Sequence, residues 1–167
     1  LMIVSNCTFI NNNANTTDGY GGAIYIWASD TEIYNSTFID CSAQYGGAIG
    51  ADRMMQSAFK LTVQGCVFIN NTRAVRGGAI YVDRTENSSI TYCVFINNTA
   101  AIQIDTKNAS DNSTIGAGVF STASSNPPTN QNLNIENNWF GSTMENLEFN
   151  STWISSIIEP PSEWLVQ

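Results

Sequence analysis

Histidine is absent from the 167 residues and no two cysteines form a CxxC pair, which argues against a zinc site. Basic residues are scarce, with 6 Lys and Arg against 14 Asp and Glu, a net charge of -8. Affinity for nucleic acid comes largely from lysine and arginine on phosphates, so this balance argues against that partner. Only 12% of residues are charged, and proline is confined to two pairs, Pro127-Pro128 and Pro160-Pro161. No apolar run approaches the roughly 20 residues that cross a bilayer as a helix, so the chain holds no transmembrane segment of that kind. No window reads as a long amphipathic helix. What is present is 43% hydrophobic content, enough for the core of one domain, set among Asn, Thr, Ser and Gly.

The hydrophobic residues are organised by repetition. One six-residue phrase occurs five times: Val4-Ser5-Asn6-Cys7-Thr8-Phe9, Ile33-Tyr34-Asn35-Ser36-Thr37-Phe38, Val63-Gln64-Gly65-Cys66-Val67-Phe68, Ile90-Thr91-Tyr92-Cys93-Val94-Phe95 and Ile135-Glu136-Asn137-Asn138-Trp139-Phe140. The phenylalanines fall at 9, 38, 68, 95 and 140, so the steps are 29, 30, 27 and 45 residues, and periods of this size signal a solenoid. A second phrase runs in phase with it: Gly21-Gly22-Ala23-Ile24-Tyr25-Ile26, Gly46-Gly47-Ala48-Ile49-Gly50-Ala51, Gly77-Gly78-Ala79-Ile80-Tyr81-Val82 and the glycine-free Thr99-Ala100-Ala101-Ile102-Gln103-Ile104. Its alternation is that of a strand, with Ile24/Ile26, Ile49/Ala51, Ile80/Val82 and Ile102/Ile104 facing inward. Within the six-residue phrase the leading aliphatic and the Phe are five apart, which one alternating strand cannot place on one face. A corner therefore falls at the Asn or Gly between them. Three short strands and three corners per repeat predict an all-β parallel β-helix of about five coils, each completed by its neighbours. Arg76-Gly77-Gly78 belongs to the strand phrase rather than to an RNA-binding segment.

Columns follow from the register. Cys7, Cys66 and Cys93 share one with Ser36 and Asn138, while Cys41 shares another with Asn12, Asn71 and Asn98. Coils are about 4.8 Å apart, so Cys66 and Cys93 can approach and Cys7 and Cys66 cannot; stacked buried thiols are favoured over a disulfide. The polar corners after each Phe-Ile, Asn11-Asn12, Asp40-Cys41, Asn70-Asn71 and Asn97-Asn98, predict an amide ladder. Nine N-x-[ST] sequons stand at Asn6, Asn15, Asn35, Asn70, Asn87, Asn97, Asn108, Asn112 and Asn150. Glycans are expected on the loop sites Asn15, Asn87, Asn108 and Asn112, with structural roles for the rest.

The nearest approach to a chemical site lies just past the Gly-Gly-Ala-Ile strands, where Trp27, Asp52, Asp83 and Asp105 share a register and Arg53 and Arg84 follow the first two aspartates. Stacked carboxylates suit Ca²⁺ or acid chemistry; the plainer alternative is arginine pairing on a solvated face, with no metal or cofactor. Tyr25 and Tyr81, alike in register and exposed, with Trp27 beside them, form a candidate strip for stacking on sugars. About 16 extra residues break the period between Asp105 and Asn134. The irregular span, about 106–134, is either a functional loop or a distorted coil with one extra strand. The repeats run over 1–141, and 142–167, with Trp153 and Trp164, read as a cap leading to a following domain. The first residues, Leu1-Met2-Ile3-Val4, read as the inside of a repeat rather than as a signal peptide. A piece of a longer protein is therefore expected, with upstream coils or a neighbouring molecule covering the first edge.

Gly-Gly-Ala-Ile phrases alternating with Phe9-Ile10-Asn11, Phe68-Ile69-Asn70 and Phe95-Ile96-Asn97 resemble the repeats of chlamydial polymorphic membrane proteins. The fuller resemblance is to the large adhesin-like surface proteins of methanogenic archaea. Their coils read C-T-F-x-N-N and close on N-N-W-W-G-x-N, here Asn137-Asn138-Trp139-Phe140-Gly141-Ser142, before an exit like Trp164-Leu165-Val166-Gln167. Phe140 in place of the second Trp and the missing glycines at Thr99-Ala100 depart from that pattern. The resemblance implies a right-handed parallel β-helix on a secreted, cell-surface protein with a role in attachment to other cells or surfaces, and no residue here implies the family's ligands. The expected function is non-catalytic attachment, with a glycan or protein of another cell as the partner. Self-assembly of copies into a surface layer or filament is a second reading. A polysaccharide lyase or glycosidase working through Asp52, Asp83, Asp105, Arg53 and Arg84 is a third.

Overall fold

The computed structural model describes residues 1–14, 16–52, 59–72, 76–83, 85–100, 119–121 and 133–139. All fifteen strands among them pair in parallel. The first coil runs through β1 (Met2–Ser5), β2 (Thr8–Ile10), β3 (Asn13–Ala14) and β4 (Ile24–Trp27), and the second through β5 (Thr31–Tyr34), β6 (Thr37–Ile39), β7 (Ser42–Ala43) and β8 (Ile49–Asp52). Then come β9 (Leu61–Gln64), β10 (Val67–Ile69) and β11 (Ile80–Val82), and next β12 (Ser89–Thr91), β13 (Val94–Ile96) and β14 (Val119–Ser121). The fifth coil opens with β15 (Asn134–Glu136), and Trp139 bridges to Val94. Like strands stack into sheets ordered β1-β5-β9-β12-β15, β2-β6-β10-β13 and β4-β8-β11-β14, with β3-β7 a shorter fourth. This is a parallel β-helix, and no helix occurs among the described residues.

In-register pairing converts each repeated residue into a column. Phe9, Phe38, Phe68 and Phe95 are partners across the second sheet, and their rings stack at 4.9 Å with planes within 6°. Offset stacking adds roughly 0.5–1.5 kcal/mol per pair beyond the area buried. Facing them across the core are Ile33, Val63, Ile90 and Ile135 from the first sheet, and Ile49, Ala51, Ile80 and Val82 from the third.

The corners are made by left-handed residues. Asn6, Asn35, Gly65, Tyr92 and Asn137 turn the chain between the first two sheets, and Asn11, Asp40, Asn70 and Asn97 turn it out of the second, all with φ between 46° and 64°. Asparagine, aspartate and glycine tolerate this region better than other residues, which is why the corners read as they do.

The amide ladder forms, and it uses the second asparagine of each pair. The Cys41 N–H donates to Asn71 Oδ1 at 3.0 Å, and Asn71 Nδ2 donates to Asn98 Oδ1 at 2.8 Å and to the Phe38 carbonyl at 3.1 Å. Asn70 and Asn97 are exposed, so the structural role of these sequon residues lies in the backbone. The cysteines are free thiols, Cys41, Cys66 and Cys93 buried and Cys7 exposed. Cys66 and Cys93 donate to the carbonyls of Gln64 and Thr91 at 3.4 and 3.3 Å.

The edge of β11 is taken by a strand that the repeat phrases did not name: Ile80 pairs with Val119, Tyr81 with Phe120 and Val82 with Ser121. The reason is visible in Gly116-Ala117-Gly118-Val119, which repeats the small-residue run and aliphatic of Gly77-Gly78-Ala79-Ile80. A strand of the solenoid thus lies within 106–134. Residues 102–104 and 142–167 fall outside the described residues.

Neighbouring asparagines should differ sharply on substitution. Asn71→Ala removes an acceptor and two donor bonds from the buried ladder and is expected to cost on the order of 2–4 kcal/mol in urea unfolding. Asn70→Gly, at an exposed left-handed corner, is expected to change stability by only a few tenths of a kcal/mol. Equal losses would contradict this division of roles.

Candidate functional site

The third sheet shows its outer face at β4, where Ile24 and Ile26 are buried and Tyr25 and Trp27 are exposed. Pairing sets Tyr25 beside Gly50 and Gly50 beside Tyr81, and sets Trp27 beside Asp52. The Asp83 N–H donates to the Ala51 carbonyl at 2.8 Å, so Asp83 follows Asp52 in the same column. The spacing therefore brings Trp27, Asp52 and Asp83 together. Asp105, Arg53 and Arg84 lie outside the described residues, as do Asn15, Asn108 and Asn112. Asn87 is exposed at a φ of 50°.

Two further tyrosines complete this face. Tyr20 and Tyr45 each stand directly before a glycine pair, form a parallel bridge, and continue to Arg76 through a second bridge. The signal was in the repeat: the position before Gly-Gly reads Tyr20, Tyr45, Arg76. The Tyr20 ring lies 4.7 Å from Tyr45, 5.3 Å from Tyr25 and 5.7 Å from Tyr81. Tyr25 and Tyr81 are two coils apart, so a ring near both sits over Gly50. A Cβ on Gly50 would collide with the backbone of Gly21 and Tyr45, so the gap in the outer column is also a requirement of close packing.

This covering layer corrects two expectations about exposure. Tyr81 lies beneath Tyr20 and Tyr45 and is 5% exposed, whereas Tyr25 and Trp27 are 44% and 49% exposed. The aspartates are not on a solvated face, Asp52 being 7% and Asp83 5% exposed. The outer strip is thus Tyr25 and Trp27, with ring centroids 5.9 Å apart and planes at 64°. Among the described residues no group of three or more Cys, Asp or Glu is arranged to hold a metal ion.

Electrostatics keep the phenols neutral. Burial, then the charges of Asp52 and Tyr45 and a hydrogen bond to Asp52, push Tyr20 well above the usual phenol range. Burial followed by the charges of Asp83 and Asp52 does the same to Tyr81, against a smaller opposing effect of Arg76. Tyr25 is raised by burial and then by Asp52. Tyr20 therefore acts as a hydrogen-bond donor to a buried carboxylate, and Tyr25 and Trp27 present ring surface beside it.

The pH consequence has a definite sign. Above about pH 10 the unfolded chain releases phenol protons that the folded cluster retains, so stability is fully present below that pH and falls as pH rises beyond it. Urea unfolding between pH 8 and 11 is expected to show this decline, and Tyr20→Phe to make it shallower. Stability that stays level to pH 11 would contradict the arrangement.

Residues 6–26 and 65–83 match the Chlamydia polymorphic membrane protein repeat. Each matched segment runs from a left-handed corner, Asn6 or Gly65, through a Phe strand to a strand of the third sheet. No curated protein and no solved structure matches the chain. The chain carries repeats of the polymorphic membrane protein type, folded as coils of a parallel β-helix.

Proposed function

We propose that this chain is a segment of an adhesin-like cell-surface protein, working without catalysis by presenting a rigid solenoid face to a glycan on another cell. The observation that carries the reading is the exposed Tyr25 and Trp27 pair beside Asp52, on repeats of a type named for membrane proteins. Exposed rings take the apolar face of a sugar. Cell-surface placement is supported by that repeat type. The likeness to adhesin-like proteins of methanogenic archaea supports attachment as the role, and sequons such as the exposed Asn87 suit a glycosylated surface protein.

The test is binding of the folded chain to a glycan array and to intact cells, with calcium and with a chelator. Trp27→Ala is expected to weaken binding about tenfold, corresponding to roughly 1.4 kcal/mol. Loss of binding in chelator assigns calcium to the aspartate column. Binding unaffected by Trp27→Ala, or no binding to any glycan or cell, overturns the reading.

A further inference from the structure

Both ends of the second sheet are left-handed corners, and the sequons are shared out among them coil by coil. The chain enters that sheet through Asn6, Asn35, Gly65 and Tyr92 and leaves it through Asn11, Asp40, Asn70 and Asn97, all at positive φ. Each of the first four coils carries one N-x-[ST] sequon at these corners: Asn6-Cys7-Thr8 and Asn35-Ser36-Thr37 on entry, then Asn70-Asn71-Thr72 and Asn97-Asn98-Thr99 on exit. The turns do not call for sequons, since Gly65, Tyr92, Asn11 and Asp40 make them without one. Threonine follows the asparagine rather than the strand. The outward position two residues past the entry corner is Thr8 and Thr37 behind asparagine, but Val67 and Val94 behind Gly65 and Tyr92. Likewise Asn11 and Asn12 hold the places of Asn70 and Asn71, yet Asn13 stands where Thr72 does.

These asparagines differ from their neighbours in what their amides do. Asn71, Asn98 and Asn138 are buried and donate to the carbonyls of Phe38, Phe68 and Ile90 at 3.1, 3.0 and 2.7 Å. Asn6, Asn35, Asn70 and Asn97 are exposed and make no side-chain hydrogen bond among the described residues. What they border is apolar. Phenylalanine points inward from the second sheet, so its outer face shows Ile10, Ile39, Ile69 and Ile96 in one column and Thr8, Thr37, Val67 and Val94 in the other, with no charge. Ile10 is 54% exposed, and Ile39, Ile69 and Ile96 are half-buried. The strip is one short strand wide, about 10 Å at the rise of a strand, within reach of a short oligosaccharide rooted at either border. The C–H faces of sugars suit such a surface, while their hydroxyls keep to water.

We propose that Asn6, Asn35, Asn70 and Asn97 are N-glycan acceptors, one to a coil, whose sugars cover the apolar outer face of the second sheet. The acceptors then lie on the solenoid itself and not only in the loops expected to carry glycans. In the modification, Nδ2 forms a bond to C1 of the first sugar of a lipid-linked oligosaccharyl phosphate. The C1–O bond to phosphate breaks, the lipid phosphate leaves with that electron pair, and the amide loses one proton to a base of the transferring enzyme. Nothing in this depends on sugar binding at Trp27.

The experiment is glycopeptide mass spectrometry on the chain purified from the cells that make it, beside variants expressed in those cells. Oligosaccharide masses are expected on the peptides of all four asparagines, each at partial occupancy because neighbouring acceptors stand one coil, about 4.8 Å, apart. Thr8→Val and Thr37→Val, which copy Val67 and Val94, are expected to abolish the masses at Asn6 and Asn35 without touching the corners. Replacing all four acceptors by glycine, the residue of the Gly65 corner, is expected to raise the fluorescence of a neutral apolar dye severalfold over that of the glycosylated chain, with the melt still cooperative. Unmodified peptides at all four positions, or glycans confined to the sequons outside these corners, overturn the acceptors. Glycans at the corners with unchanged dye fluorescence overturn the cover.

Discussion

The structure rests on one constraint, that each coil must sit about 4.8 Å from the next with its strands in register. Backbone hydrogen bonds fix that distance, and side chains that are comfortable at it become the core. Aromatic rings are, which is why Phe9, Phe38, Phe68 and Phe95 stack at 4.9 Å. Amides are as well, since Asn71 and Asn98 bond along the same axis in which they stack. A column that satisfies its polar atoms vertically lets a narrow solenoid bury asparagine without the cost of an unpaired group.

The same constraint divides labour at the corners. A strand that ends while its neighbours above and below continue in register must turn within a residue or two, and the left-handed region does this. Asn70 and Asn97 make the turn while Asn71 and Asn98 fill the ladder, so two adjacent asparagines have unrelated duties. Sequons at Asn70 and Asn97 follow from those two duties with a threonine next in line. Tyr92 is the corner residue that this explanation does not cover.

The candidate face shows how a repeat is used by breaking it. The outward column of the third sheet would read as an uninterrupted aromatic strip but for Gly50, and into that gap comes Tyr20 from the preceding loop. The result separates exposed from buried chemistry. Tyr25 and Trp27 are left to solvent, while Asp52 and Asp83 lie below the surface and hold nearby phenols in their protonated form.

Which residues stack on which was legible in the sequence, because register in a solenoid is a matter of counting. The coils, the Phe column, the cysteine column, the left-handed corners and the meeting of Trp27 with Asp52 all follow from repeat positions. The sequence also held, unread, the column of Tyr20, Tyr45 and Arg76. Only the tertiary structure decided what covers what. Burial of Tyr81 and Asp52 depends on where the rings of Tyr20 and Tyr45 fall, and those rings come from outside the strands of the third sheet. It also decided that Val119–Ser121 pairs with β11, because the extra residues before Val119 break the period and counting alone does not place that strand. Periodicity fixes neighbours along the solenoid axis, whereas coverage from the side is set by how the long side chains of Tyr20 and Tyr45 lie across the third sheet.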